Sequence, residues 1–117
     1  MAKAEHEFFP IADVAWTPAQ GGLVPGLSER ILARDAQTGV ATRMLRFDPG
    51  TNTSPAGAQV HPFWEEVYIL EGSLHDLTLQ QTFRTGMYAC RPPGMPHGPW
   101  VAPDGCLTFE VRYVLDR

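Results

Sequence analysis

Cysteine, basic charge and long apolar runs are all scarce in this 117-residue chain, and each shortage excludes something. Two cysteines, Cys90 and Cys106, cannot build the disulfide framework of a small secreted scaffold, and both read as inert core or turn thiols. No stretch approaches the roughly 20 consecutive apolar residues of a bilayer span, so no membrane association is expected. The segment Met1 to Pro10 has no apolar core of signal-peptide length, and the expected location is the cytoplasm. Nine Lys and Arg residues are scattered through a chain of net charge −4. A nucleic-acid groove needs them clustered, so no nucleic-acid partner is expected. Helical periodicity is also missing beyond a single turn.

What the chain has instead is eleven glycines and eleven prolines without any low-complexity run. That excess reads as tight turns between short strands. The length fits one domain with a single core. Residues 1–30 are expected to form an extended N-terminal arm, and residues 31–117 the folded body. In the arm, Phe8, Phe9 and Trp16 lie among Pro10, Pro18 and Pro25. They need an apolar surface to cover, either their own body or the sheet edge of a partner, and the latter favours a homodimer. His6 in the arm is expected to be free.

From residue 30 onward the pattern is one of consecutive strands. Arg30 to Arg34 is one, closed by Asp35 and the Thr38-Gly39 turn. Ala41, Arg43, Leu45 and Phe47 alternate with Thr42, Met44 and Arg46 until Asp48-Pro49-Gly50 breaks the run. Residues 51–58 read as a loop. Val67 to Leu70 reads as a buried strand ending in a hairpin at Glu71-Gly72, and Leu74 to Phe83 as two short strands. The last strand sets Leu107, Phe109, Val111 and Tyr113 on one face and Thr108, Glu110 and Arg112 on the other. The fold class is therefore all-β, a sandwich or barrel.

Two segments carry chemistry. In Gly86-Met-Tyr-Ala-Cys-Arg-Pro92-Pro-Gly94-Met-Pro-His97, a proline stops a short strand and a glycine turns the chain, which aims one imidazole behind it. Upstream, His61 and Glu65 stand four residues apart, before Val67 to Gly72. Gln59, His61, Phe63, Glu65 and Val67 share one strand face wherever Pro62 leaves the pleat unbroken. Two imidazoles and one carboxylate from separate strands suit an open non-haem iron site, and zinc, manganese or nickel equally. Phe63, Trp64 and Trp100 flank these residues and are candidates for the wall of an apolar substrate pocket. Glu66 should point away from the ligands, and His75-Asp76 reads as a solvent-facing pair.

The spacing resembles the two cupin motifs. Residues 86–97 match G-x5-P-x-G-x2-H at Gly86, Pro92, Gly94 and His97, with Val101 where the motif ends in asparagine. Residues 59–72 resemble H-x-H-x3-E-x6-G through His61, Glu65 and Gly72, with Gln59 in place of the first histidine. The likeness spans about residues 40–115. It is closest to small single-domain cupins, including the cupin half of ChrR-type anti-sigma factors.

The resemblance implies a double-stranded β-helix, or jelly-roll, barrel. It also implies one divalent transition metal on His61, Glu65 and His97, with Gln59 at the position of a further ligand. Enzymes of this kind include dioxygenases acting on diketones, enols or aromatics, as well as isomerases and lyases. In such a reaction the metal is a Lewis acid and Glu65 a candidate general base. The alternatives are a non-catalytic metal- or ligand-binding sensing module and a structural dimer with a degenerate site.

Overall fold

A computed structural model describes residues 3–115. Nine strands form in chain order: β1 (Thr17–Pro18), β2 (Leu27–Arg34), β3 (Ala41–Phe47), β4 (Thr51–Asn52), β5 (Trp64–Asp76), β6 (Gln81–Arg84), β7 (Tyr88–Arg91), β8 (Trp100–Ala102) and β9 (Cys106–Tyr113). All pair antiparallel. The helical content among the described residues is three short 3-10 turns. One layer runs β1-β2-β3-β9-β5-β7, and the other is β4-β8-β5-β6. Strand β5 belongs to both. The curled sheet is the all-β jelly-roll expected from the sequence.

The passage of β5 from one layer to the other corrects the reading of Gly72. The strand does not stop in a hairpin there. It continues to Asp76, with a register shift between Ile69 and Glu71. Gly72 has a φ of 80°, and a β-carbon on it would lie 2.1 Å from the Gly105 carbonyl oxygen. A glycine that permits a bend and a close backbone crossing looks, in sequence, like one that permits a turn. The stretch 51–58 is likewise not all loop, since it contains β4 and a 3-10 turn at Ser54–Ala56.

The core gathers at one end of the barrel. Leu27, Leu45, Phe47, Ile69, Leu74 and Cys106 pack together there, closed by Ala19 and Val24 from the N-terminal segment. Ala19 is completely buried and Val24 nearly so. The guanidinium groups of Arg30 and Arg46 both lie over the Trp16 ring, 4.5 and 4.3 Å from its centroid. Residues 16–24 thus cover their own barrel, whereas Phe8 is fully exposed. His6 tilts against Phe9 at 5.1 Å.

The pair His75-Asp76 also departs from its expected setting in solvent. Asp76 is 2% exposed, and its carboxylate accepts from the backbone N–H groups of Thr78 and Leu79, which closes the turn between β5 and β6. His75 Nδ1 lies 2.9 Å from the Thr82 hydroxyl across the same hairpin. An acid at the first position of a turn caps its backbone. Cys106 is buried, and desolvation pushes its thiol up to about 12, while Cys90 is exposed on β7.

Candidate metal centre

At the opposite end, the inward side chains of three adjacent strands are charged and in register. Glu65 on β5 faces Arg112 on β9 at one side and Arg91 on β7 at the other. One step inward, Arg43 on β3 pairs with Glu110 on β9. The face of β9 that enters the barrel is thus Thr108, Glu110 and Arg112, and the apolar set Leu107, Phe109, Val111 and Tyr113 lies on the outer side. Burying charge is costly unless every group has a partner. Here Arg112 Nε donates to Glu65 Oε2 at 2.7 Å and Arg91 Nη1 to Glu65 Oε1 at 3.0 Å. Arg43 donates to both Glu110 at 3.0 Å and Glu29 at 2.7 Å, and the Thr108 hydroxyl donates to Glu110. Among the described residues, no buried side-chain N or O lacks a partner.

Two backbone links bring the motif segments together. Gln59 and His97 exchange N–H···O bonds of 2.7 and 3.0 Å, and the Gly94 N–H donates to the His61 carbonyl at 2.9 Å. Gly94, at φ 83°, allows the turn that returns the chain to His61. His61, Glu65 and His97 consequently share a focus, each offering an atom within 4.8 Å of the other two. His97 Nε2 lies 3.5 Å from Glu65 Oε1, and His61 Nε2 lies 3.8 Å from Glu65 Oε2. Ligands bound at about 2.1 Å to one ion stand roughly 3–3.5 Å apart, so closure needs small side-chain movements.

Protonation favours a cation. His97 Nδ1 is 3.3 Å from the Met95 carbonyl oxygen, which only accepts, so Nδ1 carries the hydrogen and Nε2 keeps its lone pair. Desolvation, opposed in part by Glu65, lowers His61 to about 4. Burial and the neighbouring Arg91 lower His97 as well. For Glu65, burial acts to raise the pKa, but the charges of Arg112 and Arg91 and the Arg112 hydrogen bond outweigh it and hold the carboxyl below its usual range. At neutral pH the trio is two neutral imidazoles and one carboxylate, the donor set a divalent transition metal takes. Each Glu65 oxygen has a second lone pair beyond the one its arginine uses.

The other candidates are placed as follows. The Gln59 amide oxygen accepts from Gln20 Nε2 at 3.3 Å, and its nitrogen donates to the Ala56 carbonyl at 3.1 Å. Phe63 stacks on His61 at 4.7 Å and lies under the Arg112 guanidinium at 4.9 Å, so it braces a ligand and its neighbour. Trp64 alternates with inward Glu65 and stacks on Tyr113 outside the barrel. Glu66 points the same way and accepts from the Tyr88 hydroxyl. Trp100 lines both cavities around the centre.

One cavity, of about 60 Å³, contains the focus of the trio. The other, of about 370 Å³, adjoins it across Arg91, His97 and Trp100. Arg43, Arg91, Arg112 and Glu110 are site residues that sequence reasoning did not single out. Their signal was the polar face of β9 and the position of Arg91 one residue before Pro92.

Comparison with known proteins agrees with the fold. Among solved structures, an RmlC-like cupin from Shewanella frigidimarina matches with a TM-score of 0.71 at 21% identity, over 96% of this chain and 93% of that one. An acetylacetone dioxygenase from Acinetobacter johnsonii matches with a TM-score of 0.73 at 16% identity, over 95% and 75%. A chain in the complex of Rhodobacter sphaeroides SigE with the anti-sigma ChrR matches with a TM-score of 0.62 at 21% identity, over 86% and 49%. At such identities these likenesses show the fold alone. No curated protein matches the sequence. The model of the ChrR cupin-like domain matches residues 4–115, nearly the whole chain, and the protein belongs to that family.

Proposed function

We propose that this cupin is a metal-dependent enzyme of dioxygenase type, acting on a small enolisable substrate such as a diketone or a hydroxy-aromatic. The observation that carries the reading is the shared focus of His61, Glu65 and His97 inside the barrel. A bound divalent ion would supply Lewis acidity toward an enol or carbonyl oxygen and, if it is iron, reactivity toward dioxygen. The chain's own residues hold and orient. His61 and His97 present neutral nitrogens, Phe63 fixes the His61 ring, and the Met95 carbonyl fixes His97. Glu65 contributes charge. Its two arginines make it a weak base, so it serves better as ligand than as proton acceptor. Gln59, already bonded to Gln20 and Ala56, supports the rim of the site.

Similarity to an acetylacetone dioxygenase supports the substrate class. The test is oxygen uptake by iron-loaded protein with small β-diketones. Turnover that disappears in His97→Ala is expected, and turnover retained in that variant contradicts the proposal.

A second reading is a non-catalytic metal- or ligand-sensing module, favoured by the family match and by the likeness to the SigE–ChrR complex. In either case the protein acts as a homodimer in the cytoplasm. Phe109 and Tyr68, cross-strand partners on the outer face, offer an apolar surface to a second copy.

A further inference from the structure

The cavity that contains the ligand trio is too small for an organic substrate. At about 60 Å³ it holds an ion and a few waters. Whatever else binds must occupy the neighbouring cavity of about 370 Å³, within the size range of small-molecule sites. Its walls include Val67, Ile69, Leu74, Phe83 and Ala89, and Leu79, Met87 and Met95 stand exposed at its edge. The polar exceptions are placed unevenly. Asp76 spends one carboxylate oxygen on its turn and the Thr78 hydroxyl donates to the Gly98 carbonyl, whereas Arg91 and His97 stand at the boundary with the ion site. Arg91 Nη1 is bonded to Glu65. Its Nε and Nη2 have no hydrogen-bond partner among the described residues and are not sealed from solvent.

The charges around this boundary are balanced only while no ion is bound. Three carboxylates, Glu29, Glu65 and Glu110, meet three guanidiniums, Arg43, Arg91 and Arg112. A divalent cation shared with Glu65 leaves the cluster at +2, with Arg91 and Arg112 competing for a carboxylate that now also serves the ion. A half-buried excess of positive charge needs an anion.

We infer that the site takes a small amphiphilic monoanion. Its carboxylate or enolate lies against Arg91 and the ion, and its apolar body fills the adjoining cavity. This rests on the metal-site reading given above and adds the ligand's charge and shape. Neither an uncharged alcohol nor a hydrophilic sugar acid satisfies both parts.

The experiment is calorimetric titration of zinc-loaded and metal-free full-length protein with straight-chain carboxylates of two to ten carbons, alongside the matching alcohols. Elemental analysis of the same samples reports bound zinc. The expected result is an affinity that rises about fourfold per methylene until the cavity is full, with each carboxylate at least tenfold tighter than its alcohol. Arg91→Met should remove most of the carboxylate preference. Ala89→Phe should shorten the optimal chain, and Leu79→Asp, at an exposed position that leaves folding intact, should flatten the chain-length dependence.

If zinc fails to bind but the metal-free protein keeps both the chain-length and the carboxylate preference, the ligand class stands and the metal reading falls. If zinc binds and affinity is indifferent to chain length or equal for acid and alcohol, the ligand class is overturned. Self-association that closes the cavity, seen as ligand affinity falling with protein concentration, overturns it also.

Discussion

The two ends of the barrel interior are built by the same strands and obey opposite rules. At one end β3, β5 and β9 send in Phe47, Ile69 and Cys106; a few residues along, the same strands send in Arg43, Glu65, Glu110 and Arg112. The apolar end gains stability from burial alone. The charged end replaces that gain with a closed network, in which cross-strand register places Arg112, Glu65 and Arg91 in one row. The small cavity at the ligand trio lies where side chains are pinned by directional bonds, and the larger one opens beside it among apolar walls. The comparison teaches that stability and chemistry are separated along the strands, and substitutions should separate them too.

The largest effect is expected where β5 passes from one layer to the other. Gly72→Val should abolish folding, because its β-carbon would meet the Gly105 carbonyl and the Cys106 backbone at a positive φ. Gly94→Ala has open space around it and should cost only about 1–2 kcal/mol through its left-handed backbone, read from urea midpoints. Next comes the apolar end. Phe47→Ala should cost about 3–5 kcal/mol yet leave metal stoichiometry unchanged. At the charged end Arg112→Met should cost about 2 kcal/mol by removing one partner from buried Glu65. Adding Glu65→Gln should recover part of that loss in a double-mutant cycle.

The smallest effect is the pH dependence of the metal-free protein. Glu65 has a depressed pKa in the fold, so its contribution is present above the ordinary carboxylate range and is lost as pH falls through the folded value. His61, lowered to about 4, binds its proton later in the folded than in the unfolded state, so stability falls from the ordinary histidine value near 6.5 down to about 4. Both act in one direction. Thermal midpoints should decline steadily from pH 7 to pH 4, and a midpoint that rises on acidification would contradict the charge assignment.

Much of this was legible in the chain itself. Alternation over Ala41–Phe47 and Leu107–Tyr113 located β3 and β9, and the two motif segments brought His61, Glu65 and His97 together. Alternation, however, separates two faces without saying which is inside. In β9 the inner face is the polar one, because Glu110 and Arg112 find partners on β3 and β5 that only register supplies. Gly72 carries the same letter whether a strand turns or bends, and its role depends on Gly105, thirty-three positions away. Asp76 looked solvated because an isolated acid usually is, and its burial follows from the two backbone N–H groups of its own turn. Trp64 and Phe63 stood beside the ligands in sequence, but the pleat sends one outward and stacks the other on His61.

The central claim is that one divalent ion is held by His61, Glu65 and His97, and anomalous diffraction at the absorption edge of the loaded metal tests it most directly. A single peak within about 2.3 Å of His61 Nε2, His97 Nε2 and a Glu65 oxygen, absent from His97→Ala crystals, is the predicted result. Crystals soaked in the metal that show no peak there, with Glu65 still bonded only to Arg91 and Arg112, would contradict it.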